Sequence, residues 1–530
     1  MTHKILALAI TAYLGVGMLG YSMAIGDERG FVPIFNNTLD GWDGNPAYWK
    51  ADDCTIIGET TEDGPPLENN QFLIWRHGEV DDFALRFSYR MFSGNSGMQY
   101  RSFENPEEWG RWVIGGYQAD FDAAERYSGS LFGERYRVML AWRGQKTVIG
   151  AGLQPQEVGR VGDNDELGAL INKNDWNDYE IIVRGYRIIH KINGHVMIDA
   201  EDQDQEMRRR SGLLAIQLHK GPPMKVQVRD IRLKRLPMED KKKIVFVAGA
   251  GSHGYMAHAH GAACVMLANM INENVPGTHA VVYLGGYPKD PTAFDNADTV
   301  VVLSDGAAGH PFHAHLDTLE KLIQRGTGIV MLHYAVEALK GRPGGLLTDA
   351  IGGYFETWYS VNPFWTAQFN AFPDHPIARG LQPFAIEDEW YYHMRFPSDM
   401  KGVTPILTAI PPDETRMVDE HCRSGTAAVK ANMGQPEHMS WAYVRPDGGR
   451  GFGFTGGHWH YNWANDNFRK VVLNAITWVA GLEVPENGVP SRSPTCEELN
   501  ENQDTPRPND YDEAKVRQLL EQWKQESGGS

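Results

Sequence analysis

The sequence predicts a multidomain protein in which an all-β sandwich precedes an α/β domain. The chain has 530 residues, 42% of them hydrophobic, which is enough for about two to four domains with cores of their own. Residues 27–236 contain many short alternating strands and no helical period, a pattern typical of a β-sandwich. After residue 237, apolar strands alternate with amphipathic helices, which indicates a parallel sheet.

The N-terminal segment has the pattern of an export signal. Lys4 provides a positive start, residues 5–19 are apolar, and Ser22-Met23-Ala24 supplies small residues for a signal peptidase. We therefore predict a signal peptide over residues 1–24 and export to the periplasm or the extracellular space. The alternative is an uncleaved N-terminal membrane anchor, because the apolar segment is long enough for one.

The first domain, predicted over residues 27–237, is punctuated by Gly, Asn and Asp. Alternating strand patterns occur at residues 83–90, 179–184, 187–192 and 226–233. Asn193-Gly194 lies between two of these strands and predicts a hairpin turn.

The second domain, predicted over residues 243–482, contains four buried strands, at residues 244–248, 279–284, 299–303 and 328–332. Helical patterns occupy residues 258–274, 313–325 and 468–480. A ligand site is expected at the carboxyl ends of the parallel strands. Residues 483–530 are rich in Pro, Asn and acids, and predict a linker with a short helix at 512–525.

Charge and cysteine content exclude several classes of function. The net charge of −18 disfavours nucleic-acid binding, whereas the many aromatic residues suit sugar binding. The four cysteines are far apart and form no CxxC motif, so neither a zinc knuckle nor a redox pair is expected. Their disulfide pairing stays open. Residues 249–254 lack the third glycine of a dinucleotide-binding loop, and no nucleotide cofactor is expected.

Three segments of the first domain place two polar groups each on one face of a strand, because alternate residues share a face. The pairs are Gln99 with Arg101, Gln118 with Asp120, and Gln217 with His219. On neighbouring strands they would build a polar concave floor that needs a ligand or water. The alternative is that these faces are solvated.

These segments resemble the 3-keto-disaccharide hydrolase family, through GNSG at residues 94–97, YQAD at 117–120, WNDY at 176–179 and QLH at 217–219. The resemblance implies a concanavalin-like jelly roll that cleaves 3-keto-glycosides, by hydrolysis or by 1,2-elimination followed by hydration. A C3 ketone acidifies the C2 hydrogen, so such a site needs a base, an enolate stabiliser and an acid. The candidates are His219 as base or acid, Arg101 as enolate stabiliser and Asp120 as partner carboxylate. Gln99, Gln118 and Gln217 would bind substrate hydroxyls.

The second domain is rich in His, and its polar residues follow the predicted strands. We expect a substrate-binding pocket made of His253, Asp305, His333, Asp388, Glu389 and His458. His-x-His pairs at 258/260, 313/315 and 458/460 are compatible with a metal site. The alternative is exposed His that bind nothing, and the metal therefore stays unassigned.

This half resembles the trehalose-utilisation (ThuA-like) family, through GAGSH at residues 249–253, LSDG at 303–306, LHYA at 332–335, DEWYY at 388–392 and GGH at 456–458. The resemblance implies a flavodoxin-like α/β fold, as in class I glutamine amidotransferases. His333 stands where those enzymes carry a nucleophilic Cys, which disfavours amidotransfer. The domain would bind or process an oxidised sugar, or would serve as a non-catalytic scaffold.

The sequence thus predicts an exported carbohydrate-catabolic enzyme whose 3-keto substrate is supplied by an upstream sugar 3-dehydrogenase. The need for a divalent cation is left open, as are the sugar, its anomer and the oligomeric state. One alternative is a non-catalytic lectin-like protein. Another is an ordinary glycosidase with paired carboxylates.

Overall fold

The computed structural model describes residues 28–152, 154–417 and 426–528. The signal peptide predicted over residues 1–24, and with it the alternative anchor, lies outside these ranges. Among the helices that are described, none is both long enough and apolar enough to cross a membrane.

The first domain, called here the sandwich domain, is built of strands with two short helices, α1 (Pro106–Trp109) and α2 (Asn164–Gly168). Its strands are β1 (Val32–Pro33), β2 (Trp42–Asp43), β3 (Trp49–Asp52), β4 (Thr55–Glu59), β5 (Gln71–Val80), β6 (Phe83–Ser93), β7 (Asn95–Glu104), β8 (Ile114–Asp122), β9 (Leu131–Glu134), β10 (Met139–Ala141), β11 (Gln145–Ile149), β12 (Pro155–Arg160), β13 (Asn177–Arg184), β14 (Arg187–Ile192), β15 (His195–Asp202), β16 (Gly212–Leu218) and β17 (Lys225–Arg235).

Two sheets form this domain, and the predicted β-sandwich is confirmed. One is a ten-stranded sheet with the order β12-β11-β15-β14-β13-β6-β17-β4-β3, in which β1 also pairs with β17. The other has the order β10-β9-β8-β7-β16-β5-β2. Aromatic rings such as Phe87 and Tyr179, stacked 5.2 Å apart between their centroids, fill the core between the sheets. The predicted hairpin turn at Asn193-Gly194 is also confirmed, since both residues have positive φ (49° and 83°) between β14 and β15.

The second domain, called here the α/β domain, has strands β18 (Lys242–Ala248), β19 (Thr278–Tyr283), β20 (Thr299–Leu303), β21 (Gly328–Leu332), β22 (Glu337–Ala338), β23 (Phe355–Glu356), β24 (Phe364–Phe369), β25 (Phe384–Glu389), β26 (Val403–Ala409), β27 (Glu437–Val444) and β28 (Arg450–Phe454). Its helices, with those of the C-terminal segment, are α3 (His260–Asn274), α4 (Leu316–Gln324), α5 (Arg342–Ile351), α6 (Ala427–Ala431), α7 (Asp466–Val479), α8 (Cys496–Leu499) and α9 (Glu513–Gly528).

The main sheet of this domain has the order β19-β18-β20-β21-β28-β27-β26, and its first five strands are parallel. Alternate residues of β18 enter different cores. Phe246 packs in the core that contains α3 and α7, and Val245 in the core that contains α4 and α5. Helices thus cover both faces of the sheet, which leaves the carboxyl edge of the strands free to carry a site.

Residues 483–510, which we predicted to be a linker, pack against the α/β domain. Val484, Val489 and Leu499 are buried in the core that contains α3 and α7. The carboxylate of Asp504 accepts a hydrogen bond from the backbone N–H of Gly261 (3.0 Å) at the start of α3. Apolar residues at wide intervals within a Pro-rich segment carry no periodic signal, which explains why the packing was not predicted.

A buried ion cluster joins the two domains. It consists of Asp81 and Arg235 from the sandwich domain and Lys243 and Asp290 from the α/β domain. Lys243 Nζ lies 2.5 Å from Asp81, and Arg235 lies 2.7 Å from Asp290 and 3.4 Å from Asp81. These side chains are at most 2% exposed, so their charges depend on one another rather than on water.

Candidate functional site

Four side chains of the α/β domain converge at the carboxyl edge of its sheet, and we call them the His/Glu cluster: His258, His333, Glu389 and His458. His258 Nε2 lies 3.0 Å from both His333 Nε2 and His458 Nδ1. Glu389 Oε2 lies 3.1 Å from His458 Nδ1 and 3.6 Å from His333 Nε2. Each residue therefore offers one ligand atom, and these atoms all lie within 4.8 Å of one another.

Backbone conformation and hydrogen bonds aim the imidazoles into this cluster. His333 directly follows β21 and has φ +53°, a left-handed conformation that turns its side chain over the end of the strand. Its Nδ1–H donates to the Thr455 carbonyl (2.8 Å), which leaves the Nε2 lone pair facing the cluster. His258, at φ +47°, turns Nδ1 toward Asp305 Oδ1 (3.4 Å) and Nε2 inward.

Asp388 positions the cluster and is not part of it. Its Oδ1 accepts from the backbone N–H of His458, and its Oδ2 accepts from Gly457 N–H and Asn462 Nδ2 (2.8–3.0 Å). Burial raises the pKa of Asp388 to about 6, although the hydrogen bonds from these donors act to lower it. The neighbouring Glu389 is aimed by Asn362, whose amide donates to Oε1 (2.9 Å) and leaves Oε2 for the imidazoles.

Several groups of the cluster have shifted pKa values: although burial opposes it, Asp305 and Glu389 raise the pKa of His258. Although burial opposes it, hydrogen bonds from His258 and His458 hold the pKa of Glu389 below its usual range. Burial, reinforced by His258, lowers the pKa of His333 well below its usual value, so that imidazole is neutral.

His258 Nε2 takes part in two N···N contacts. Because this nitrogen carries at most one proton, it donates a hydrogen bond in only one of them, so hydrogen bonds satisfy only some of the contacts in the cluster. A divalent cation at its centre would instead be bound by all four ligand atoms. Three imidazoles and one carboxylate are ligands that Zn²⁺ accepts, and bonds of about 2.0–2.1 Å place tetrahedral ligand atoms about 3.3 Å apart. Four of the separations, from 3.0 to 3.6 Å, are close to this value, and the others are at most 4.8 Å, so the residues fit such an ion.

The solvent side of the cluster is formed by His253, Ser252 and Asp305. Ser252 Oγ donates to Asp305 Oδ1 (2.7 Å) and lies 2.8 Å from His253 Nδ1. The His253 ring lies over that of His258, with centroids 3.7 Å apart. Hydrogen bonds from His258 and Ser252 lower the pKa of Asp305, although its partial burial opposes them. Asp305 therefore positions both a cluster imidazole and the exposed His253.

The structure brings most of the predicted pocket of this domain together. His253, Asp305, His333, Glu389 and His458 lie at one edge of the sheet, whereas Asp388 faces the backbone. Sequence reasoning named His258 only in a His-x-His pair compatible with a metal site; it placed this residue at the start of a helix and left it out of the pocket. The helix begins only at His260, and the His-x-His spacing at 258/260 was the one signal for this residue. Tyr391 was also missed; its hydroxyl lies 3.2 Å from Glu389 Oε2 and 3.3 Å from His333 Nε2.

In the sandwich domain, adjacent strands β8, β7 and β16 carry Gln118, Asp120, Gln99 and Gln217 on the outer face of the seven-stranded sheet. Gln99 Nε2 donates to Gln118 Oε1 (2.7 Å), and Gln118 Nε2 donates to Asp120 Oδ1 (2.5 Å). Gln118 Nε2 also lies 3.3 Å from Gln217 Oε1. All four side chains are buried, so the alternative of a solvated face is wrong.

Glu134 extends this polar network toward solvent and was missed by sequence reasoning. Its carboxylate accepts from Gln217 Nε2 (3.3 Å) and from Asn70 Nδ2 (3.1 Å). Burial raises the pKa of Glu134, and it raises that of Asp120 well above the usual range. The network thus contains two carboxyl groups that bind protons more readily than ordinary ones.

Arg101 does not join this network, contrary to the prediction from strand alternation. A register shift between Tyr100 and Phe103, with φ +47° at Arg101 itself, turns its side chain away from Gln99. The guanidinium is buried against Asp82 (2.9 Å) and donates to the carbonyls of Asp81 and Gly185. It is therefore placed to hold backbone segments together.

His219 is exposed immediately after β16, and its Nδ1 lies 2.7 Å from the Lys220 carbonyl. It is close enough to Glu134 to act on the pKa of that carboxylate, although burial of Glu134 dominates. His219 is thus at the solvent end of the network, beside Glu134.

Comparison with known proteins agrees with this division of the chain. Residues 30–234 match the family described as a 3-keto-alpha-glucoside-1,2-lyase-like domain, and residues 259–479 match the family described as trehalose utilisation. No curated protein matches the chain.

Solved structures resemble single domains at low identity. A putative glycosyl hydrolase from Parabacteroides distasonis is 14% identical with a TM-score of 0.27, over 39% of this chain and 99% of that one. A carbohydrate-binding module from Bacillus subtilis is 13% identical with a TM-score of 0.25, over 37% and 95%. A putative ThuA-like protein from Bacteroides uniformis is 15% identical with a TM-score of 0.34, over 45% and 91%.

Proposed function

Because the chain joins a 3-keto-alpha-glucoside-1,2-lyase-like domain to a trehalose-utilisation domain, we propose that it cleaves 3-keto-glycosides and processes the keto-sugar at a metal centre. The observation that carries the proposal is the His/Glu cluster, whose three imidazole nitrogens and one carboxylate oxygen converge at the carboxyl edge of the sheet. The two domains would share an intermediate, whose local concentration the covalent link raises.

The strand order supports a more specific fold class for the α/β domain. The parallel strands β19-β18-β20-β21-β28 read 2-1-3-4-5 in chain order, which is the order of flavodoxin-like sheets. We accordingly assign the α/β domain to that class, with His333 at the turn where class I glutamine amidotransferases carry their nucleophile. We assign the sandwich domain to the jelly rolls.

The cleavage step is assigned to the sandwich domain. A base removes the C2 hydrogen that the C3 ketone acidifies, a C1=C2 double bond forms, the C1–O bond breaks, and the leaving oxygen takes up a proton. Glu134 and His219, at the solvent end of the polar network, are the groups that would carry these protons, and Asp120 lies behind them. Water then adds across the double bond. Arg101, held by backbone carbonyls, keeps only a positioning role.

The second step is assigned to the α/β domain. His258, His333, His458 and Glu389 would hold a divalent cation, which when bound polarises a ketone and favours its enolate. The hydrogen next to the ketone would leave as a proton, and His253 is the exposed imidazole that can pass it to solvent. Asp305 and Ser252 keep that imidazole in place.

The decisive experiment follows both steps on 3-keto-trehalose and on unoxidised trehalose by mass spectrometry in D2O. We expect cleavage of the keto-sugar only. Hydration of the C1=C2 double bond in D2O places one deuterium at C2 of the product, so the metal-dependent step is measured as deuterium beyond this one, at C4. Removal of metal by a chelator should abolish the additional deuterium and leave the cleavage with its single deuterium. Cleavage of plain trehalose would favour the glycosidase alternative, and binding without any turnover would favour the lectin-like one.

Replacing Glu134 with Gln should lower kcat for cleavage about 100-fold, because an amide cannot carry the proton that general acid–base catalysis moves. The measurement is the initial rate of keto-sugar cleavage, with metal-dependent deuterium exchange as an internal check on folding. Glu157→Gln, at an exposed position of the opposite sheet, is the matched control and should retain full activity. An active Glu134→Gln variant would remove Glu134 from the reaction.

We further propose that the protein is exported and that a separate sugar 3-dehydrogenase supplies its substrate. The N-terminal pattern supports the first proposal. The second follows from the chemistry, since a C3 ketone must be made by oxidation of a hydroxyl.

A further inference from the structure

An exposed aromatic side chain stands beside the His/Glu cluster. Phe364 is 48% exposed, and its ring lies 4.8 Å from that of His458 in an edge-on contact. In the antiparallel pair of β24 and β25, Phe364 is directly opposite Glu389, so Phe364 neighbours two residues of the cluster. Its position is therefore determined by the same strand pairing that positions the carboxylate ligand.

Phe364 is an exception to the alternation of buried apolar and exposed polar residues along β24. The inward positions Trp365, Ala367 and Phe369 are buried, as expected for a strand that covers a core. The outward positions Thr366 and Gln368 are polar, as expected on a solvated face. Only the outward residue nearest the cluster is apolar and large, so its exposed ring is available to a ligand of the cluster.

A second aromatic residue extends this surface. Trp459 directly follows His458, and its ring centroid lies 5.9 Å from that of Phe364, with the planes tilted by 39°. On its other side Trp459 stacks on Tyr461, at 5.6 Å and 13°. The indole is thus held by packing, and an ordered aromatic surface binds a ligand with little loss of side-chain entropy.

We propose that Phe364 and Trp459 form the wall on which the pyranose ring of the keto-sugar stacks, while its ketone faces the His/Glu cluster. The C–H face of a pyranose is apolar, so it gains from covering an exposed aromatic ring. This inference deepens the proposed function and rests on it: it names the residues that hold the sugar against the cluster.

The test measures the KM and Kd of metal-loaded protein for 3-keto-glucose. Phe364→Ala should raise both about 5- to 10-fold, with kcat for deuterium exchange and metal content unchanged, and Phe364→Tyr should restore wild-type values. Phe92→Ala is the matched control, since Phe92 is 41% exposed on the opposite domain. Unchanged KM and Kd in Phe364→Ala would overturn the stacking wall.

The two proposals fail in different ways. If the wild-type protein neither binds nor turns over keto-sugar, both the proposed function and this inference are overturned. If the wild-type protein turns over keto-sugar normally and Phe364→Ala has unchanged KM and Kd, only this inference is overturned.

Discussion

Replacing Glu389 with Gln is expected to weaken divalent-cation binding by more than about 100-fold. Changes to residues that merely orient metal ligands cost about 10- to 100-fold, and here a charged ligand atom itself is lost. The substitution keeps the size of the side chain and its contact with Asn362, so the cluster should remain folded. The measurement is titration of the protein with Zn²⁺ by calorimetry, with metal content determined by mass spectrometry.

Glu387→Gln is the matched control, because Glu387 lies on the same strand with its side chain exposed. It should retain wild-type affinity. The wild-type protein should also gain about 2.7 kcal/mol of unfolding free energy at a cation concentration of 100 times Kd, and Glu389→Gln should lose this gain. Unaltered affinity in Glu389→Gln would show that the carboxylate is not a ligand and would remove the metal centre from the proposed function.

Replacing Asp81 with Asn is expected to lower the free energy of unfolding by about 3–5 kcal/mol, because it breaks a buried ion pair and leaves a charge without compensation. Lys243 Nζ would keep only its hydrogen bond to Asn296 Oδ1 (2.8 Å). Arg235 would keep its pair with Asp290 (2.7 Å). The measurement is urea unfolding at pH 7, followed by tryptophan fluorescence.

Asp240→Asn is the control for this prediction. Asp240 pairs with Arg210 at 2.6 Å but is 53% exposed, so its loss should cost less than about 1 kcal/mol. A similar cost for the two variants would show that burial of the ion cluster between the domains is without effect on stability.

The contribution of Asp81 should also depend on pH. Burial alone would raise its pKa, but Lys243 and Arg235 hold it below the usual value of 3.8. A carboxylate with a lowered native pKa stabilises the fold above its usual pKa and loses this effect as the pH falls. The difference between wild-type protein and Asp81→Asn should therefore be largest above about pH 5 and shrink below pH 4. A constant difference would contradict the ion-pair assignment.

Strand alternation predicted part of the sandwich correctly and failed at one residue for a definite reason. Gln99, Gln118, Asp120 and Gln217 lie on one face because regular strands alternate. Arg101 leaves that face because the register shifts after Tyr100, and a bulge carries no signal in a period-two pattern. Glu134 joins the network from β9, whose pairing with β8 depends on the whole sheet.

The sequence by itself predicted the two domain classes, and it predicted the edge of the α/β sheet at which the structure has five of the six candidate residues. It could do so because strand and helix periods are local, and because the carboxyl ends of parallel strands meet at one edge. Only the tertiary structure decided that His258 completes the cluster, that Asp388 faces the backbone and that Phe364 opposes Glu389. Those outcomes depend on the sign of φ at single residues and on contacts across 25 to 200 positions, which packing of the folded chain selects.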